Sequence, residues 1–298
     1  MRSQPDADSG VAARFEALRP PLVRHAYRML GERSEAEDVV QDAYVRWHSA
    51  LATSPVGNDH AFLRTTVTRL CIDRARSARA RREVYVGPWL PEPLVAAETS
   101  DPEAIVTLAD DISFALLLAL ERLSPLERAA FLLHDVMDVP FSEIAVTLGR
   151  SEDAVKKLAS RARAHVRTPR TRPVAPVSDT LRLRAQFLAA IARDDLAALQ
   201  QLLAEDVVFI SDSGGKVPAA MVPVRGQDHV GRLLIGLSRK GPPGARVTPA
   251  FINASPGLII SDSDHIIQTV ALEVSDGHIA AIYVTRNPDK LRAISLAD

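Results

Sequence analysis

Through the first half of the chain apolar positions recur at helical spacing. In the last third they shorten into apolar runs separated by turns. Val11 to Leu30 predicts a helix that tolerates Pro20-Pro21 near an early turn and ends at Gly31. Ser34, with Glu37 three positions on, is the signature of a capping box. Ala36, Val39, Val40, Ala43, Trp47 and Leu51 then repeat on one face, with Glu37, Asp38, Gln41 and Asp42 on the other. Thr53–Asp59 is a polar loop punctuated by Pro and Gly. From Ala61 to Glu83 the helix period returns. Leu63, Val67 and Leu70 point inward with Phe62, while Arg64, Arg69, Arg74, Arg76, Arg79, Arg81 and Arg82 project from the remaining faces.

Tyr85 to Pro102 breaks this pattern, because Pro88, Pro91 and Pro93 cannot sit inside a helix. Proline-rich segments make semi-rigid linkers, but a bare linker has no use for Trp89 and Leu90. The stretch Trp89-Leu90-Pro91-Glu92-Pro93 is therefore expected to dock. Helices resume at Ile105–Leu123, and Ser124-Pro125-Leu126-Glu127 opens another that runs to about Met137. Phe141 to Arg167 reads as two short helices joined at Leu148-Gly149-Arg150. Ile144, Ala145 and Leu148 face inward on the first, and Val155, Leu158, Ala162 and Val166 on the second. Ser151 is the expected N-cap of the second helix, and Glu152 and Asp153 bring negative charge to its first turn.

After a second linker the grammar changes at Val177. Two helices, Thr180–Ala192 and Leu196–Leu203, precede a strand at Asp206–Ile210 and a turn at SDSGGK. A helix at Gly226–Leu237 follows, then runs at Arg246–Ala254, Gly257–Ile260, Ile266–Val274 and His278–Thr285, the last two joined by the hairpin turn Ser275-Asp276-Gly277. Helices followed by an antiparallel meander predict an α+β layout. The expected domains are 11–83 and 105–168, both all-helical, and 177–298, α+β, with linkers at 84–104 and 169–176.

Composition adds limits. A length of 298 residues suits two or three domains, and 47% hydrophobic with 24% charged residues is ordinary for a globular protein. The net charge of −1 gives no whole-molecule argument for nucleic acid. Distribution does, since arginines crowd Arg64–Arg82 and Arg150–Arg172. Cys71 is the only cysteine, so neither an internal disulfide nor a multi-cysteine metal site can be built, and the expected setting is the cytoplasm. MRSQPDADSG lacks the apolar core of a signal peptide, and Phe114–Leu120 is too short to span a bilayer, so no membrane partner is expected.

On the second helix of the Phe141–Arg167 pair, Lys156, Lys157, Ser160, Arg161 and Ala164 face outward, with Arg163 and Arg167 alongside. A helix–turn–helix places such a helix in the major groove, with its basic residues on phosphates. The alternative is a helical hairpin with a solvated basic face. For the Ala61–Glu83 helix the choice is likewise a solvated helix or a nucleic-acid surface. Its arginine density favours an anionic partner.

SEAEDVVQDAYVRW followed by AFLRTTVTRLCIDRARSARARR resembles region 2 of bacterial sigma-70-family factors. LSPLERAAFLLHDVMDVPFSEIAVTLGRSEDAVKKLASRARAHVR resembles their region 4. The short chain resembles the extracytoplasmic-function (ECF) group, and the C-terminal part resembles a SnoaL-like domain of the nuclear-transport-factor-2-like superfamily, a curved sheet cupped around helices. WLPEP, NPDKL at Asn287–Leu291 and a DGGGK-like Asp212-Ser213-Gly214-Gly215-Lys216 are similar to marks of the ECF subgroup with such an extension. Here serine replaces the first glycine.

The resemblance implies partners and roles. Asp38, Gln41 and Asp42 would bind the β′ clamp helices of the bacterial RNA polymerase core. The loop at Asn58 and Asp59, with Arg64, Arg69, Arg74, Arg76 and Arg79, would engage the −10 element of promoter DNA, guanidinium groups on the backbone and the polar loop on an extruded base. Ser151, Glu152, Asp153, Lys156, Lys157 and Arg161 would read the −35 element. Glu152 and Asp153 could accept from a cytosine amine or simply offset the helix dipole. Trp89, Leu90, Pro91, Glu92 and Pro93, Asp212, Gly214, Gly215 and Lys216, and Asn287, Pro288, Asp289, Lys290 and Leu291 would form regulatory contacts between domains.

Some SnoaL-like domains are polyketide cyclases, and Asp206, Asp228, His229, Asp262, Asp264 and His265 are the titratable groups available for acid–base work. No spacing singles out a pair, and Asp262 and Asp264 sit in a turn-forming SDSD. An enzyme with a helical appendage and a ligand-responsive repressor are the competing readings. The separate arginine-rich helix and the WLPEP segment count against the repressor. The favoured expectation is a non-enzymatic sigma factor, without metal or cofactor, whose extension regulates it. An effector in the cup stays open, since nothing in the sequence names one.

Overall fold

The computed structural model describes residues 4–53, 55–97, 112–166, 176–263 and 265–294, the side chains of 4–9, 79–81 and 97 excepted. The expected helix start at Ile105, the linker at 169–175, Arg167, Asp264 and the side chain of Arg79 lie outside the described residues. The chain divides into two compact units, Met1–Glu83 with Ala119–Arg167, and Val84–Leu118 with Thr168–Asp298. The described residues of the expected first linker, 84–97, thus fold with the C-terminal unit.

In the first unit α1 (Gln4–Leu30), α2 (Arg33–Thr53) and α3 (Asp59–Glu83) pack around Trp47, Tyr27, Leu22, Met29, Leu30, Leu63 and Val67. Helix α1 begins earlier than its apolar pattern suggests and carries Pro20-Pro21 in its interior. Each proline removes a helical donor. The stretch beyond them buries Leu22, Ala26, Met29 and Leu30, and that tertiary packing keeps the helix continuous. Helix α2 opens at Arg33, so Ser34 lies inside the first turn rather than at the cap.

Beyond the end of α4 (Phe114–Glu121), α5 (Pro125–Phe131) starts with the expected capping box. Ser124 Oγ accepts from the Glu127 amide, and the Glu127 carboxylate accepts from the Ser124 amide. The helix then widens into a π-helical turn, Leu132–Val136. Helices α6 (Phe141–Leu148) and α7 (Glu152–Val166) follow, with Gly149 between them at φ 62°. Ile144, Val155 and Ala159 close a small core with Ala130, Leu133 and Val139. Ala159 joins this inward stripe beside the longer side chains the period picked out.

The second unit is built on a seven-stranded sheet in the order β1-β4-β5-β6-β7-β2-β3. Its strands are β1 (Val95–Ala97), β2 (Leu203–Asp212), β3 (Val224–Arg225), β4 (Arg246–Ile252), β5 (Ser255–Asp262), β6 (His265–Ser275) and β7 (His278–Thr285). The meander β4–β7 is antiparallel as expected, but β2 pairs with β7 in parallel, which no local pattern announced. Helices α8 (Val177–Ala192), α9 (Leu196–Leu202) and α10 (Gln227–Arg239) bring Leu183, Phe187, Leu199, Val230 and Leu234 onto Phe209, Leu258, Leu272, Ile282 and Val284. Alternate residues of the same strands, Ile259, Ala271, Ala281 and Tyr283, pack with Leu90 and Phe114, so residues before and after 98–111 cover that side. The Phe114 and Tyr283 rings lie 5.1 Å apart. Among the described residues no helix is long and apolar enough to cross a membrane.

Candidate nucleic-acid interface and linker clasp

Helix α2 buries Ala36, Val39, Val40, Ala43 and Trp47, which leaves Asp38, Gln41 and Asp42 exposed together on the opposite face. Arg74 of α3 reaches this face, with Nη2 3.0 Å from Asp42 Oδ2 and Nη1 3.6 Å from Asp38 Oδ2. A side chain expected on DNA thus sits against the carboxylates expected on polymerase. Asn58 and Asp59, expected at an extruded base, are both engaged at the start of α3. Asn58 Oδ1 accepts from the Ala61 amide at 3.0 Å, as a helix cap does. Asp59 accepts from Trp47 Nε1 at 3.0 Å and pairs with Arg14 at 3.0 Å.

Among the described residues, the arginines of α3 meet oxygen acceptors. Arg64 donates to Glu143 at 2.7 Å, and Arg69 donates to the carbonyls of Thr147 and Val146 at 2.8 and 2.9 Å. Arg82 bonds Glu121 and the Leu30 carbonyl. Arg128, buried, pairs with Glu121 at 2.9 Å and donates to the Met29 carbonyl at 2.7 Å. Arg76 lies exposed beside Asp73. Buried His25 shares a hydrogen bond with Thr68 at 2.9 Å, and burial, then Arg28 and Arg64, lower its pKa to about 3. Burial also pushes the Cys71 thiol well up, so it stays protonated and unreactive.

On α7 and at its cap the residues expected at the −35 element, Ser151, Glu152, Asp153, Lys156, Lys157 and Arg161, are all exposed. Ser151 Oγ accepts from the Ala154 amide at 3.3 Å, which is the expected cap. Glu152 holds Lys156 at 2.7 Å and raises its pKa, so the ammonium stays charged. A cationic, unobstructed face beginning at a helix N-terminus is what a major-groove reader needs.

The second unit holds a different cluster. The carboxylate of Asp212, fully buried at the end of β2, accepts from Tyr85 Oη at 2.6 Å, the Leu90 amide at 2.9 Å and Lys290 Nζ at 2.7 Å. Its own carbonyl takes the amides of Arg286 and Asn287. The Lys290 ammonium also donates to the Leu90 carbonyl and lies 4.5 Å from the Trp89 ring centroid and 5.2 Å from that of Tyr85. Asn287 caps α11 (Pro288–Leu291) and donates from Nδ2 to Tyr85 Oη at 2.7 Å. Leu90, Pro91, Glu92 and Pro93 are all buried. The three expected docking segments therefore meet one another inside this unit.

Gly214 and Gly215 have φ of 58° and 72°, and a Cβ on Gly214 would stand 2.6 Å from Asn287 Nδ2. Ser213 is not among the positive-φ residues, so serine in place of the first glycine leaves the turn intact, and its Oγ accepts from the Gly215 amide. Lys216 bonds Asp289 at the exposed rim and lowers that carboxyl's pKa.

Sequence reading missed Tyr85, Asn253, Glu143 and Thr147. Asn253, buried at φ 49°, accepts from the Leu94 amide and donates to the Ile112 carbonyl, gripping both flanks of residues 98–111. An Asn-Ala turn between two apolar runs was the available signal. Of the titratable groups available for acid–base work, Asp228 is exposed and held by Arg232 and Gln200, which lowers its pKa, and Asp262 is exposed. Among the described residues no cluster of His, Cys, Asp and Glu fits a metal ion.

Comparison with known proteins matches residues 14–81 to the family Sigma-70 region 2 and residues 113–166 to Sigma-70, region 4. Over 295 residues the chain is 40% identical to the ECF RNA polymerase sigma factor SigJ of Mycobacterium tuberculosis, covering 95% of this chain and 94% of the relative. It is 32% identical over 293 residues to the probable ECF RNA polymerase sigma factor SigI of the same species, covering 95% and 96%. The crystal structure of the M. tuberculosis extracytoplasmic function sigma factor SigJ superimposes with a TM-score of 0.75 at 38% identity, covering 94% of this chain and 97% of that one.

Proposed function

The chain belongs to the ECF sigma factors, and from that premise we propose how its parts divide the work of promoter-specific transcription initiation. Members of the family bind the RNA polymerase core and promoter DNA and are not enzymes. Asp38, Gln41 and Asp42 dock on the β′ clamp helices. Asn58, Asp59 and the arginines of α3 engage the −10 element, and the exposed face of α7 from Ser151 to Arg161 reads the −35 element. Lys156, Lys157 and Arg161 there supply mainly phosphate affinity.

The SnoaL-like unit modulates this activity by holding the linker. The observation that carries the reading is Asp212, which bonds Tyr85, Leu90 and Lys290 at once. With Tyr85, Leu90 and Leu94 held in this way, less of the chain between the two sigma modules is left free to move. Reconstituted transcription on a randomised promoter library tests both statements. Core polymerase with the full chain is expected to enrich a two-block promoter motif, and Asp212→Asn to change the output or the preferred block spacing. No motif with the full chain would defeat the sigma assignment of these faces. An unchanged motif and output with Asp212→Asn would defeat the modulation.

A further inference from the structure

The π-helical turn Leu132–Val136 sends two consecutive side chains to the helix–turn–helix that follows it. Asp135 pairs with Arg163 of α7 at 2.5 Å. His134 Nδ1 donates to the Val139 carbonyl at 3.1 Å, and its ring stacks on that of Phe141, the first residue of α6, with centroids 3.8 Å apart. The Lys156 ammonium of α7 lies 5.9 Å from the Phe141 centroid. Each residue of an α-helix turns the chain by about 100°, so the extra residue of a π turn decides which way His134 and Asp135 point.

Lys156 and Arg163 stand about two turns apart on α7 and share one flank of it. That flank is held at both places, but in different ways. Arg163 is tied to a carboxylate of the neighbouring turn. Lys156 is 50% exposed, and Glu152, its partner at 2.7 Å, is 46% exposed, so that pair exchanges readily. An aromatic ring attracts an ammonium without neutralising it, and it narrows the freedom of a four-carbon stem that otherwise costs about 2 kcal/mol to fix. The ring therefore restrains Lys156 while leaving its charge available to an anion. The plainer role for Phe141 is packing, since it also borders the core of Ala130, Leu133 and Ile144.

Resting on the −35 reading of α7, we propose that Phe141, backed by His134, is a positioning residue for promoter binding. It holds the Lys156 ammonium where that group meets a phosphate of the −35 duplex.

The test is the salt dependence of promoter binding by core polymerase reconstituted with the full chain, on the promoter enriched from the randomised library. One lysine–phosphate contact contributes about 0.9 to the slope of log affinity against log salt, or about three- to fourfold in the affinity lost between about 50 and 200 mM. Lys156→Ala is expected to give up that factor. Phe141→Leu, which keeps an apolar side chain against the core but no ring, is expected to give up the same factor, and Phe141→Tyr to keep it. In a Lys156→Ala background Phe141→Leu should change the slope no further. A wild-type slope in either Lys156→Ala or Phe141→Leu overturns the proposal, as does an undiminished effect of Phe141→Leu without Lys156. Should Phe141→Leu not fold, His134→Leu, which removes the stacked neighbour, is read in its place: a lowered slope supports the proposal and an unchanged one overturns it. Absence of promoter-specific binding by the wild-type chain overturns the sigma reading instead.

Discussion

Two ion pairs organise this protein in opposite ways. Arg64–Glu143 sits in the helical unit with its guanidinium 11% and its carboxylate 54% exposed, whereas Lys290–Asp212 in the sheet unit is 8% and 0% exposed. An exposed pair gains little and exchanges partners readily. A buried pair contributes no large net stability, but losing one member leaves an uncompensated charge in a dry site. The first is suited to release, the second to permanence. The partners agree: Glu143 offers a single carboxylate at a helix edge, while Asp212 takes a phenol, an amide and an ammonium at once.

The largest effect that would break this contrast is expected from Asp212→Ala. It strands the Lys290 ammonium and frees Tyr85 and Leu90. A loss of about 3–5 kcal/mol from the sheet unit should appear in denaturant unfolding followed at Trp89. Acid comes next, acting on the helical unit. Buried His25 stays neutral to about pH 3 when folded but takes a proton near its ordinary pKa when unfolded. Stability is then complete above about pH 6.5 and falls as pH is lowered, by about 2 kcal/mol at pH 5. His25→Gln should flatten that dependence in a pH series of melts. Smaller again is Gly214→Ala, which forces a side chain into the left-handed region at φ 58° and against Asn287. It should cost about 1–2 kcal/mol from the backbone alone, while Ser213→Gly should cost far less. The least change in stability is expected from Glu143→Gln, no more than about 1 kcal/mol in the same melts, because an exchangeable pair contributes little to the fold.

The helical modules were legible because period, caps and turn glycine agree locally: the box at Ser124 and Glu127 and the left-handed Gly149 both appear where the pattern placed them. WLPEP was legible as a docking segment because Trp89 and Leu90 made no sense in water. Its partners were only partly so. Tyr85 meets Asp212 across 127 positions and Asn253 meets Leu94 across 159, and no periodicity carries information over such separations. The parallel pairing of β2 with β7 was hidden for the same reason. At the promoter-facing residues, charge density showed that α3 wants an anion. It gave no hint that Glu143 and the end of α6 already supply oxygens to Arg64 and Arg69.

The contrast is tested most directly by distances between paired spin labels, at Ser77→Cys and Ser142→Cys across the α3–α6 seam and at Val84→Cys and Val222→Cys beside the clasp. These are exposed positions in a chain whose native cysteine is buried. On adding core polymerase and promoter DNA, the seam distance should lengthen by tens of ångströms, toward the span of the duplex between the two elements, while the clasp distance stays fixed. A transcribing complex in which the seam distance does not change, or in which the clasp parts while the seam holds, would contradict the account.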